Sequence, residues 1–385
     1  MDRGPIEVRV HSSIDDIAAD DWNALAGDQY PFLDHAFLAA AEQTGCVAAE
    51  TGWTPRHLTL HDGDRLQGAM PLYEKSHSWG EFVFDWAWAN AYHRAGIPYY
   101  PKLVSAVPFT PATCPKLLLS ADTDATLGRL LIDGARALAQ EIDASSLHVL
   151  FPLEDELPIL EAAGMTLRKD CQFHWHNRGY ASFDDFLAGF NARKRKKAKR
   201  DRRHVAESGI QFRHLHGDEL GPALWEQVYR LINITFMQRG STHYFDLDFF
   251  LRISRAMPDK ILVVLAESDG EAVAAAVFFV GADTLYGRYW GSSGHYNALH
   301  FETCYYQGID YCIANGIALF EPGTQGEHKV SRGFLPQATS SAHWLAHPEF
   351  YSAIRDYLSL EGQDVERYMD VVGNHSPYRA DGDKA

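Results

Sequence analysis

Residues 281–336 read GADTLYGRYWGSSGHYNALHFETCYYQGIDYCIANGIALFEPGTQGEHKVSRGFLP, and the fold is decided in this stretch. Leu285 to Trp290 is rich in β-forming side chains and feeds a Gly/Ser turn, Gly291-Ser292-Ser293-Gly294. The pattern predicts a helix from about His300 to Asn315 and then a short apolar strand, Ile317 to Phe320. A polar loop holding Glu321, His328, Lys329 and Arg332 closes the stretch. Strand, turn, helix, strand, with ionisable groups past the last strand, is the layout of a cleft at the carboxyl ends of strands.

Upstream of this block, Lys260–Glu267 and Val273–Val280 read as a hairpin across Ser268-Asp269-Gly270-Glu271, preceded by a strand at Ile210–Leu215 and helices at Ala223–Met237 and Asp246–Met257. The first half runs in the same order. An N-terminal strand is followed by helices at Ile14–Leu25 and His35–Gln43. A hairpin then turns at His61-Asp62-Gly63-Asp64, and a helix at Ala125–Gln140 and a strand at Leu147–Phe151 complete the order. At 385 residues two domains are expected, and the boundary is placed between 178 and 179. After Trp344 a last helix, Pro348–Leu360, is expected on the outside, followed by a frayed polar tail from Gly373.

Composition narrows the class. A hydrophobic content of 46% excludes a disordered chain. The longest uncharged apolar run, Ala272 to Val280, is far short of a membrane span, and the N-terminus lacks a signal-peptide core. A cytoplasmic location is the expectation. The 5 cysteines show no CxxC spacing and read as reduced thiols. The formal charge is -16, yet Arg193–Arg203, RKRKKAKRDRR, concentrates nine basic residues; without that run 26 basic residues face 50 acidic ones. Its positive residues point all around a helical wheel, so no face of it is expected to enter a core. Arg193, Lys194, Lys196, Lys197 and Arg200 are candidate contacts to a polyanion, either a tRNA or an anionic membrane surface.

A second candidate surface lies in residues 75–113, where aromatics interleave with polar groups. Glu81, Asp85, Tyr99, Tyr100 and Lys102 are its substrate-binding candidates, the alternative being an irregular core segment. His174-Trp175-His176 offers two imidazoles on one strand face but no third ligand, so no metal is expected and a surface or domain-edge role is favoured.

Four segments carry a resemblance. KRKKAKRDRRHVAESGIQFR (194–213) and the run from YYQGIDYCIANG to FEPGTQGEHKVSRGF (305–334) resemble the GNAT acyltransferase superfamily. GWTPRHL (52–58) and PLYEKSHSWGEFVFDWAWANAYHRAGIPYYPKL (71–103) are similar to FemAB-like bacterial proteins. The resemblance implies an α/β protein of two tandem GNAT-like domains with mixed sheets, FemAB-type, without the inserted coiled-coil arm. It implies an N-acyltransferase moving an acyl or aminoacyl group directly to an amine, with acyl-CoA or aminoacyl-tRNA as donor. A CoA-dependent N-acetyltransferase and a non-catalytic scaffold binding RNA or a cell-wall precursor are the alternatives. Tyr289-Trp290-Gly291-Ser292-Ser293-Gly294-His295 departs from the Q/R-x-x-G-x-G/A loop that holds the CoA pyrophosphate, which argues against CoA. Direct transfer needs a base for the amine proton and positive charge for the leaving group or an anionic donor. Glu321 and His328 are the candidate bases; Lys329 and Arg332, with Tyr289 and Trp290, are the candidate binding groups.

Overall fold

The computed structural model describes residues 6–120, 125–324 and 326–379. Two compact units divide the chain: Met1–Asp170 with Ala338–Glu366, and Cys171–Gln337 with Arg367–Ala385. The first boundary falls inside one strand, Thr166–His176, and 338–366 belongs with the first unit, where the sequence reading had left it with the second. Pairing decides this. Residues 341–345 of the strand Leu335–Leu345 run antiparallel to Ser146–Leu150. No turn marks a boundary inside a strand, and long-range pairing leaves no local trace.

In the first unit an antiparallel sheet orders Ile6–His11, His57–Asp62, Arg65–Met70 and Leu118–Leu119. A second group pairs Trp53–Pro55, Tyr73–Lys75, Lys102–Ser105 and Ser146–Leu150, the last pair parallel. The helix Ala125–Glu141 forms because Leu127, Leu131, Ile132, Ala135, Leu138 and Ala139 recur at helical spacing, and all of them enter the core.

The second unit is built on the sheet Gln211–His216, Ile261–Ser268, Glu271–Val280, Thr284–Ser292 and Leu319–Glu321. Its first three pairings are antiparallel. Thr284–Tyr286 then pairs in parallel with Leu319–Glu321, so a crossover must join the two strands. That crossover is the predicted helix, and it is not uniform. Leu299–Phe301 opens it, Glu302–Tyr306 forms one π turn, and Gln307–Asn315 continues as α-helix to Gly316. A π turn inserts a residue and rotates the side chains after it, and such turns often mark functional positions. Phe278, Leu285, Tyr305, Tyr306, Ile309 and Phe320 form the centre of the core beneath it.

Three expectations need correction. The basic run lies in a helix, Ala192–Glu207, that does bury a face: Ala198, Asp201 and Val205 are enclosed. The i, i+3, i+7 stripe is there, but one member is small and another charged, so a hydrophobic wheel misses it. The last helix runs on to Gly373. The tail does not fray as far as it is described, because Tyr378 packs edge-on against Phe190 and its hydroxyl donates to the Gly333 carbonyl at 3.1 Å. Residues 380–385 of that predicted tail, like 1–5 of the N-terminal stretch, lie outside the described residues.

Candidate active site

Pairing between Thr284–Ser292 and Leu319–Glu321 lasts three residues, after which the two chains part. Glu321 stands at the parting point and is 3% exposed. Arg288 Nη2 lies 3.7 Å from one of its oxygens and His174 Nε2 lies 3.9 Å from the other. Burial, with His176, Lys329 and Arg288 nearby, pushes the His174 imidazole down to about 3, so it is neutral and Arg288 is the counter-charge of Glu321. His174 is thus no surface group, which removes the surface half of the surface-or-domain-edge expectation. Glu321 sits inside, facing Arg288, and is not presented to an incoming amine.

The loop that follows folds into a 3-10 turn, Glu327–Arg332. His328, like Glu327 before it, is exposed. The Tyr305 hydroxyl lies 2.9 Å from His328 Nε2. Burial pushes the Tyr305 phenol up, so it stays protonated. His328 is lowered from the ordinary imidazole range by partial burial and then by Arg332 and Lys329, so it is neutral at pH 7. Gly326, at φ 116°, leaves the imidazole room. A Cβ there would sit 2.3 Å from Cε1 and 2.7 Å from Nδ1 of His328. Glycine suits this backbone and leaves room for the ring at that edge. Beside His328 lie the rings of His300 at 6.2 Å and Phe301 at 5.9 Å. Trp290 packs edge-on to His300 at 5.2 Å.

Lys329 and Arg332 turn inward. Lys329 is 2% exposed, and its Nζ donates to the Gly323 carbonyl at 2.6 Å. Burial, then the charge of Arg288, lowers it to about 7. The Arg332 guanidinium lies 3.3 Å from the Phe301 ring centre, donates to the His328 carbonyl at 2.7 Å and faces Asp201 at 3.8 Å. These two cations hold the loop's shape, where the sequence reading had them greet an anionic substrate. Glu321 pairs with Arg288, and Arg332 with Asp201. The Tyr289 ring packs on Phe236 and Phe250.

The Gly/Ser turn is likewise re-read. Gly291 belongs to the strand, and a Cβ on it would lie 1.8 Å from the Leu231 carbonyl oxygen. It is glycine so that the helix Pro222–Gln238 can pack flush on the sheet, not so that a phosphate can approach.

In the first unit the structure joins all five predicted residues in one enclosed network. Lys102 Nζ, with no exposure, donates to Glu81 at 2.8 Å, to Ser78 at 2.9 Å and to Asp85. The Tyr99 hydroxyl donates to Asp85 at 2.6 Å, and Tyr100 meets Ser78 at 2.9 Å. All three Lys102 donors are spent inside the protein. Burial pushes Glu81 up to about 7; Asp85, although buried too, is held at about 2 by Lys102, His148 and hydrogen bonds. The network ties the Lys102–Ser105 strand to the loop before the helix Trp86–Arg94. Its lysine has no donor left for a substrate.

Sequence reasoning missed Tyr305, His300 and Arg288. Tyr305 had one available signal, its place on the crossover helix one strand before the polar loop; the π turn that aims it had none. Among the described residues no group of three His, Cys, Asp or Glu side chains could hold a metal ion, and no helix is long and apolar enough to cross a membrane.

Comparison with known proteins agrees with this architecture. The profile of the FemAB-like family, described as peptidoglycan biosynthesis/recognition, matches residues 13–380, and the chain belongs to that family. The crystal structure of FemX superposes with a TM-score of 0.56 at 13% identity, covering 91% of this chain and 100% of that one. L-PGS from Bacillus licheniformis superposes at 0.52 with 10% identity, covering 85% and 96%. No curated protein matches the sequence. The fold is α/β, two tandem GNAT-like units with mixed sheets.

Proposed function

We propose that this protein is an N-acyltransferase that moves an acyl or aminoacyl group from an activated ester or thioester to the amine of a peptidoglycan precursor. The observation that carries the reading is His328: neutral, solvent-facing, fixed by Tyr305 at 2.9 Å and left open on its Nδ1 side by Gly326. Membership of the FemAB-like family supports the acceptor class.

In the tautomer that carries its proton on Nε2, the imidazole donates to the Tyr305 oxygen and Nδ1 keeps its lone pair. The substrate amine attacks the donor carbonyl carbon and the C–N bond forms. Nδ1 takes the amine proton as the charge on nitrogen develops. The C–O or C–S bond to the leaving group then breaks, and the proton held by the imidazolium goes to the departing oxygen or sulfur. No covalent enzyme intermediate is needed. Glu321 and Arg288 stand behind the loop as a buried pair that sets where the strands part. Lys329 and Arg332 keep the 3-10 turn in shape, and their charge adds to burial in keeping His328 neutral.

The test is mass-spectrometric detection of transfer to an amine-bearing precursor peptide from a panel of aminoacyl esters and acyl thioesters. Removal of a general base lowers turnover by roughly 10²–10⁴-fold, so His328→Ala is expected in that range, with Tyr305→Phe milder. A folded His328→Ala variant that transfers at the wild-type rate removes the assignment.

A further inference from the structure

The helix Ala192–Glu207 has two faces of different kinds. Inward, Ala198 and Val205 enter the core, Asp201 faces Arg332, and Arg202 pairs with Glu302 at 3.0 Å and Asp310 at 2.6 Å. Outward, Arg193, Lys196, Lys197 and Arg200 are all exposed. Their spacing, i, i+3, i+4 and i+7, puts them on one strip spanning two turns, about 10 Å of helix axis. Lys199 and Arg203 have carboxylate neighbours in Asp184 and Glu207; none of these four has one within 4 Å among the described residues. Lys194, grouped with them in the sequence reading, is only partly exposed and lies off the strip. Four unpaired cations at this density repel one another, and an acidic protein has no need of them for solubility.

We infer that this strip docks the second unit on the surface of an anionic lipid bilayer. Charge complementarity carries the argument, and the shape of the strip selects the partner. The helix is sunk into the protein along its inner face, so it offers a flat row of charges and not a projecting rod. A-form RNA has a major groove too narrow for such a helix, and the strip has no aromatic side chain on which an unpaired base could stack. A lipid headgroup plane needs neither. No large apolar side chain shares the exposed face, so nothing inserts and the attachment is purely electrostatic. The same helix faces Arg332 through Asp201 at 3.8 Å, and Arg332 in turn holds the His328 carbonyl, so the loop packs against the helix that carries the strip. The inference is independent of the transfer chemistry, so its failure leaves the His328 reading untouched.

Co-sedimentation with phosphatidylcholine vesicles containing about 30% phosphatidylglycerol tests it, since each basic residue near such a surface contributes a factor of about five in partition. Binding is expected to anionic vesicles, not to pure phosphatidylcholine, and to vanish near 1 M salt, where the Debye length is about 3 Å. Lys196→Gln with Lys197→Gln and Arg200→Gln should weaken partition about a hundredfold with an unchanged circular dichroism spectrum. Arg355→Gln, an exposed arginine of the first unit, should bind as wild type. Equal binding to both vesicle types, or wild-type binding by the triple variant, overturns the inference. So does displacement from vesicles by duplex RNA at equal phosphate concentration.

Discussion

Replacing Lys102 by Met removes one positive charge and leaves the enclosed network with two carboxylates, Glu81 at 4% and Asp85 at 3% exposure. In the wild type Lys102 lies between them, 2.8 Å from Glu81. Methionine matches the lysine stem in length, so no large cavity forms and the loss is electrostatic. Removing one partner of a buried ion pair costs about 3–5 kcal/mol, because the remaining charge keeps its desolvation penalty and loses its compensation. For a unit of this size each kcal/mol is about 2–4 °C of melting temperature, which predicts a fall of roughly 6–20 °C. The pH dependence distinguishes this cause from simple mispacking. Without the lysine, both carboxyls have folded-state pKa values above their unfolded ones. Stability is then lost as pH rises above the unfolded values, and the deficit should be larger at pH 8 than at pH 5. Wild-type Asp85 behaves the opposite way: its pKa is held at about 2, so its contribution is lost only as pH falls through about 4 towards 2. Urea denaturation at pH 5 and pH 8, read by Trp fluorescence, measures both quantities. A loss under about 1 kcal/mol, or one that ignores pH, would refute the claim that the network is held together by Lys102.

Gly326→Ala should leave the fold intact and lower transfer sharply, because the new methyl would lie 2.3 Å from His328 Cε1; the amide and imidazole signals of His328 should shift in NMR spectra, and unchanged signals would contradict the geometry. Gly291→Ala meets backbone at 1.8 Å and should cost roughly 3 kcal/mol or more by forcing the helix off the sheet, measured as a drop in urea midpoint. Lys75 and Lys329 are both lowered to about 7 by burial, so the unfolded chain binds more protons than the folded one above that pH. Stability should therefore rise between pH 7 and pH 8.5, and Lys329→Met should flatten that rise by up to about 1.4 kcal/mol per pH unit.

Much of this fold was legible from local pattern. The helices at His35–Gln43 and Ala125–Glu141 and the hairpin Ile261–Ser268 with Glu271–Val280 follow from period and turn chemistry, both written in consecutive residues. His328 was legible as well, as an ionisable group in a glycine-flanked loop beyond a terminal strand. What escaped was everything carried by contacts distant in sequence. Tyr305 reaches His328 across 23 positions, and Arg332 meets Asp201 across a far longer separation. Glycines misled for the same reason. Gly291 and Gly326 look alike in a string of letters, yet one is shaped by a helix backbone and the other by an imidazole.

The amino-acid order alone determined the kinds of element, their succession and the family, because these depend on neighbours three or four residues apart and on motifs that stay contiguous. Only the tertiary structure decided which charges are spent and which are free. Lys102, Lys329 and Arg332 are as basic as Lys196 or Arg200 in sequence. Burial gave the first three internal partners and left the last two in water, and desolvation is a property of the packed molecule that no stretch of sequence contains.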